Sequence, residues 1–281
     1  MRPCGRTASI RAEWALAHSL FWHGRLEKSA ALLASIRLDA INQAADATFN
    51  HVPLSLLIAA QMSWNLALLG EKGLAITHAE QTLNRSLPGQ DAEKDRCFTD
   101  HAQSLLHCFL DAPEATLYWS RQLPAKPVQG FDPVLRHSTT LLAYWARSRL
   151  HLENDKNTNE NSSEAAAQAA LAALRRLGPA HEARGFSLYA QALYWQSPAH
   201  ATTQLDTALD LNARCGLHAW TARLLQLKAR SLDAAGQLGE ASRFLNLAQE
   251  TAEQQGARLF LDDITGIESR THSSQTLETS P

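Results

Sequence analysis

A leucine followed four residues later by a glycine recurs along the chain: Leu20-x3-Gly24, Leu66-x3-Gly70 and Leu232-x3-Gly236. Each glycine ends a run of helix-forming residues, because without a Cβ it accepts the backbone angles that stop a helix and turn the chain. Five residues past each glycine stands a small residue (Ser29, Ala75, Ala241), and seven before it stands another (Ala17, Ser63, Ala229). Small side chains at both places let two antiparallel helices approach closely. Looser turns follow the same logic around Asp111-Ala112-Pro113 and Gln196-Ser197-Pro198, and a longer break lies near Asn154. The breaks fall about 40 residues apart, a period typical of stacked helical units.

The unit is clearest between Gly216 and Gly256. Leu217, Trp220, Leu224, Leu227, Ser231 and Ala235 recur at steps of 3 and 4, one face of a helix. After Gly236-Gln237-Leu238-Gly239, the residues Leu238, Ala241, Leu245, Ala248 and Ala252 repeat those steps up to Gly256. Such a hairpin cannot bury its apolar face alone and needs others of its kind. The same reading predicts helix pairs over about 8–23 and 26–45, 52–69 and 72–86, 92–110 and 113–123, 132–152 and 163–177, and 180–195 and 198–214.

Composition agrees. Of 281 residues 45% are hydrophobic, which permits a substantial core. Glycine and proline are sparse, and no alternating run reads as a strand. The net charge of −2 gives no global reason to expect nucleic acid or an anionic membrane as partner. Cys4, Cys97, Cys108 and Cys215 lack CxxC spacing and suit free, mostly buried thiols in a reducing compartment. No signal peptide and no membrane span of about 20 apolar residues is expected, so a cytoplasmic location is the default. Residues 1–264 read as one repeat array. Within it Glu153 to Ser163 reads as a mobile loop, flexible over about 154–163, and 265–281 reads as a disordered tail. Ala257 to Leu261 opens another helix that Asp262-Asp263 cuts short.

The turn-anchored pattern resembles tetratricopeptide repeats, though its period exceeds the standard 34 residues, so longer helices are expected. Over about Arg184 to Leu261 a narrower likeness emerges. Arg223-Leu224-x2-Leu227-x4-Leu232, then Gly236, Glu240-Ala241, Phe244, Ala248, Ala252 and Gln255-Gly256-Ala257 resemble the C-terminal repeats of bacterial signal-transduction ATPases. These include maltose-activator-type regulators, winged-helix ATPases and cyclase fusions. The resemblance implies a superhelical sensor or docking arm of a signal-transduction or transcription regulator. The GxxxxGK[ST] phosphate cradle and a basic recognition helix are both missing, so this would be the arm alone: a standalone repeat protein, or the C-terminal remnant of a longer regulator whose ATPase or DNA-binding domain is absent from this chain.

Few residues suggest chemistry. Cys97, His101, Ser104 and Cys108 share a helix face, but the thiols would stand roughly 16 Å apart at about 1.5 Å per residue, too far to share one zinc ion. Arg136-His137 and Arg147-Ser148-Arg149 read as a solvated face or an anion contact. The seven tryptophans read mostly as wedges between helices. No catalytic order of residues, metal site or cofactor motif stands out, so no enzyme is expected.

The expected fold is therefore all-α: a right-handed superhelical solenoid of about six TPR-like hairpins, with the first helices lining a concave surface. Inward positions fall about 13, 10, 6 and 3 residues before each turn. They select Arg11, Trp14 and His18 in pair one, Trp64 in pair two, His101 in pair three and Tyr144 in pair four. In pair five they select Arg184, Gln191 and Tyr194, and in pair six Arg223, Gln226 and Arg230. The expected function is a non-enzymatic interaction module holding a peptide or partner protein, possibly acidic, in that groove. The alternative is a small-molecule effector sensor with a pocket between repeats, which a closed apolar pocket with a few convergent polar groups would favour.

Overall fold

The structure, a computed structural model, describes residues 4–36, 48–49, 52–83, 92–124, 132–151 and 160–264. Residues 37–45 and 84–86 of the expected helices, most of the expected loop and the tail 265–281 lie outside the described residues.

The chain is all-helical. The helices are α1 (Cys4–Trp22), α2 (Leu26–Ser35), α3 (Leu54–Leu68), α4 (Lys72–Thr82), α5 (Ala92–Phe109) and α6 (Pro113–Ser120). They continue with α7 (Pro133–Arg149), α8 (Glu160–Leu177), α9 (Pro179–Gln196), α10 (Thr202–Cys215), α11 (Thr221–Ala234) and α12 (Leu238–Gln255), before a last short helix over 258–264. A two-residue antiparallel bridge, Thr48–Phe49 on Val52–Pro53, is the sole strand pairing among the described residues.

The Leu-x3-Gly signature is a helix stop. The N–H groups of Arg25, Glu71 and Gln237 donate back to the carbonyls of Leu20, Leu66 and Leu232 at 2.8–2.9 Å. Gly24, Gly70 and Gly236 sit between them at φ of 72°, 89° and 78°, the left-handed region such a stop requires. The third turn has the same bond, from Ala112 to His107, with Asp111 at φ 54° in the glycine's place. Aspartate tolerates this region better than most side chains.

The small residues do what their spacing predicts. Ala17, Ser29, Ser63 and Ala75 are fully buried, and Ser29 Oγ donates to the Ala17 carbonyl across the first hairpin at 2.8 Å. Each odd-numbered helix packs on the even-numbered one that follows it, and α3, α5, α7 and α9 pack in sequence on one another.

Several boundaries differ from the sequence reading. The helix before the fourth break ends in a turn through His151, φ 55°, while Asn154 lies outside the described residues. Residues 160–163, expected in the loop, already belong to α8, whose alanines carry the helix back toward its acidic start. Pro198–His200 forms a separate 3₁₀ turn before α10 begins at Thr202. Leu217 and Trp220 are buried but precede α11, and Leu238, expected on the buried face of α12, is 66% exposed. The last helix runs through Asp262-Asp263 and buries Ile264.

The pairs do not touch their sequence neighbours alone. The His218 N–H donates to the Trp22 carbonyl at 2.6 Å, and Gln255 Nε2 to the His218 carbonyl at 2.8 Å. Gln255 also packs on Gly24, Glu27 on Gly256 and Arg258 on Gly70. The last hairpin thus closes onto the turn ends of the first two. An aromatic group seals the junction: Phe109 stacks on Trp220 with centroids 4.4 Å apart, and Phe21 touches Trp22, Trp64 and Phe109.

Candidate functional site

Above this aromatic group the odd-numbered helices leave a cavity of about 330 Å³, within the usual size of small-ligand sites. Its wall is mostly apolar. Leu57, Phe98, Leu105, Leu142 and Leu188 come from four different helices, and Trp14, Trp22, Trp64 and Trp220 add aromatic surface. Polar side chains are few: His18, Gln61, His101, His181, Arg184, Ser138 and Asp132.

The polar groups form one chain on the α1–α3 side. Trp22 Nε1 donates to His18 Nε2 at 3.1 Å, which leaves His18 Nδ1 to donate to Gln61 Oε1 at 2.8 Å. With its oxygen so occupied, Gln61 Nε2 is buried without a partner. Burial, then the Arg184 charge, pushes His18 down to about 4, against a smaller opposing effect of the Gln61 bond. It is neutral at physiological pH. His101 is also held down, to about 4, by burial. Its Nδ1 lies 2.8 Å from Thr139 Oγ1, whose hydrogen goes to the Leu135 carbonyl, so His101 is the donor.

Arg184 is the cation of the site. Its guanidinium carbon lies 4.0 Å from the centre of the Trp22 ring. Its Nε has no hydrogen-bond partner, and among the described residues no carboxylate lies within ion-pair distance of it. Burial pulls the group down to about 10, so it stays charged at neutral pH. Arg184 is half-buried, and it borders the open space of the cavity. His181, one turn earlier on α9, has its Nδ1 buried without a partner. Burial, then Arg184, lowers its pKa, with Asp132 opposing. Asp132, the cavity's carboxylate, caps α7 by accepting from the Val134 N–H at 2.8 Å.

Five of the residues selected from sequence therefore meet at one site: Trp14, His18, Trp64, His101 and Arg184. The others do not line it. Arg11 is exposed on α1. Tyr144 is buried, stacked on Tyr189, and its hydroxyl accepts from Gln196. Gln191 is buried in α9. Tyr194 is buried beside Arg230, which also lies near Asp263. Arg223 Nη1 donates to Gln226 Oε1 at 2.8 Å and to Asp263 at 3.0 Å, while its Nη2 lies 3.5 Å from Asp111. The arginines selected in pairs five and six thus divide. Arg223 pairs with Asp263 inside the protein and Arg230 lies within reach of the same charge, and Arg184 is left at the cavity.

The basic cluster on α7 is likewise spoken for. Arg149 pairs with Asp111 at 3.4 Å and covers the Trp195 ring, and Arg136 donates to the Pro124 carbonyl. Cys97 and Cys108 are buried free thiols whose pKa values burial raises. Among the described residues no helix is long and apolar enough to cross a membrane.

Sequence selection missed Trp22, Gln61 and His181. His181 stands sixteen positions before its turn, one step beyond the series used. Gln61 and Trp22 carried no such signal. No family model, no curated protein and no solved structure matches this chain.

Proposed function

We propose that the chain is a TPR-like, right-handed superhelical array that acts as a non-enzymatic sensor and takes a small-molecule effector in the cavity between its first helices. The cavity-lining positions support the superhelix. They lie near the turn in pair one (Trp22, His18) and far from it in pairs five and six (His181, Trp220). That steady slide along successive helices is what a stack of obliquely packed hairpins produces.

The observation that carries the small-molecule reading is a half-open, largely apolar cavity with a few convergent polar groups. The Phe109–Trp220 stack fills the inner face toward the turns, where an extended peptide would need an open furrow. A role in a bacterial regulatory system rests on the resemblance of residues 184–261 alone.

The test is a thermal-shift screen of a small-molecule library against the wild-type chain, Ser138→Trp, which fills the cavity, and Ala15→Trp at its lining. Compounds that raise the wild-type melting temperature and neither variant's support the reading. Shifts equal in all three, or capture of a protein partner undiminished by both variants, contradict it.

A further inference from the structure

The cavity's unmet hydrogen-bonding groups are unbalanced. Arg184 Nε and Gln61 Nε2 can only donate, and both are buried without partners. They belong to one connected group: the Arg184 charge acts on His18, and His18 holds Gln61. His181 Nδ1 adds a third unpartnered group, able to donate in the appropriate tautomer. Against them stand one carboxylate, Asp132, already engaged at the α7 cap, and the free Nε2 of His101. A buried donor left unmade and a buried charge left unpaired are both unfavourable, and native proteins retain them where a ligand completes them.

We propose that the cavity takes a small amphipathic monoanion, a carboxylate on a flat apolar body, with the carboxylate received by Arg184 and Gln61 and the body lying against Trp14 and Trp64. This rests on the small-molecule reading above and narrows it. The planar guanidinium is suited to a carboxylate, and the Trp22 ring beneath it fixes its plane. Trp22 is itself held by its bond to His18, so the arginine's platform and the glutamine's orientation come from the same imidazole. A phosphate dianion fits less well, because one cation and two or three neutral donors match a single negative charge and the remaining wall is apolar.

The test is titration calorimetry of the full chain at pH 7.5 with 2-naphthoate, its neutral counterpart 2-naphthamide, and inorganic phosphate as competitor. The wild type is expected to bind the acid about tenfold or more tightly than the amide, the effect of a charge-assisted hydrogen bond, with no displacement by phosphate. Arg184→Met should abolish that preference, weakening acid binding to about the level of the amide. Arg184→Lys, which keeps the charge and loses the fork, should weaken acid binding at least fivefold and narrow the acid-over-amide ratio, and it carries the test if the methionine variant does not fold. Equal binding of acid and amide by the wild type would overturn the anion inference and leave the small-molecule pocket standing. Failure of both probes to bind would overturn the two together. A preference that survives both variants would place the carboxylate elsewhere, and competition by phosphate would make this an inorganic-anion site.

Discussion

Replacing Arg184 by methionine should stabilise the unliganded protein. Burial pulls the guanidinium well below its ordinary value, down to about 10, which corresponds to about 3 kcal/mol at ~1.4 kcal/mol per pH unit. Its stack on Trp22 returns about 1–2 kcal/mol. Methionine retains most of the apolar stem and removes the charge, so the net gain is about 1–2 kcal/mol. For a chain of this length that is a rise of about 3–6 °C. The pH dependence has a definite sign. A base whose folded pKa is depressed carries its full penalty below the folded value and sheds it only as pH rises above about 10. The gap between variant and wild type should therefore stay constant from pH 6 to 9. Calorimetric melting without ligand measures it. A variant that melts at or below the wild-type temperature refutes the reasoning, because Arg184 would then be satisfied within the protein.

Arg223 is the contrasting arginine: Arg223→Ala breaks its pairs with Asp111 and Asp263 and should cost about 2 kcal/mol, below the usual cost of breaking a fully buried pair because both aspartates are part-exposed. Urea unfolding checks it, and an unchanged midpoint would contradict it. Acid should destabilise the fold. His18 and His101, held near 4 against 6.5, favour the folded state fully above pH 6.5 and lose that contribution as pH falls toward 4. Asp100, raised by burial from 3.8 to about 6, works in the opposite direction, its penalty being relieved as pH falls below 6. Two histidines against one aspartate leave a net loss of about 1–2 kcal/mol per pH unit between 6 and 4, and a melting temperature that is flat or rising over that range would contradict it. Gly236→Val should destabilise by about 1–2 kcal/mol through backbone strain at φ 78° alone, since no atom lies within 4 Å of the added Cβ. A neutral result in thermal melting would show that the turn relaxes freely.

The helices were legible because their stops are written in the sequence. Leu20, Leu66 and Leu232 supply the carbonyls that close each end, and Gly24, Gly70 and Gly236 supply the conformation. At His151 no glycine marks the stop, so the sequence signals a break there only loosely. The site was legible in part. A constant offset from each turn finds inward residues while the cavity stays level with them. It therefore reached Trp14, His18, Trp64 and His101 in the first three pairs. In pair five only the farthest offset, Arg184, reaches the cavity, and the nearer ones in pairs five and six fall on Tyr194 and Arg230, which do not line it. Local periodicity reports which face turns inward, not how far a helix has moved along its neighbour. Nor could it show that Asp263, from the last short helix, would answer Arg223, since that contact depends on chain closure.

The most direct test of the account is a crystal structure of the full chain soaked with 6-bromo-2-naphthoate, read by bromine anomalous scattering. The account predicts one strong peak inside the cavity, toward Trp14 and Trp64, with the carboxylate within hydrogen-bond distance of Arg184 and Gln61. An empty cavity at saturating probe, or a peak on the outer helices α2, α4 or α12, would contradict it.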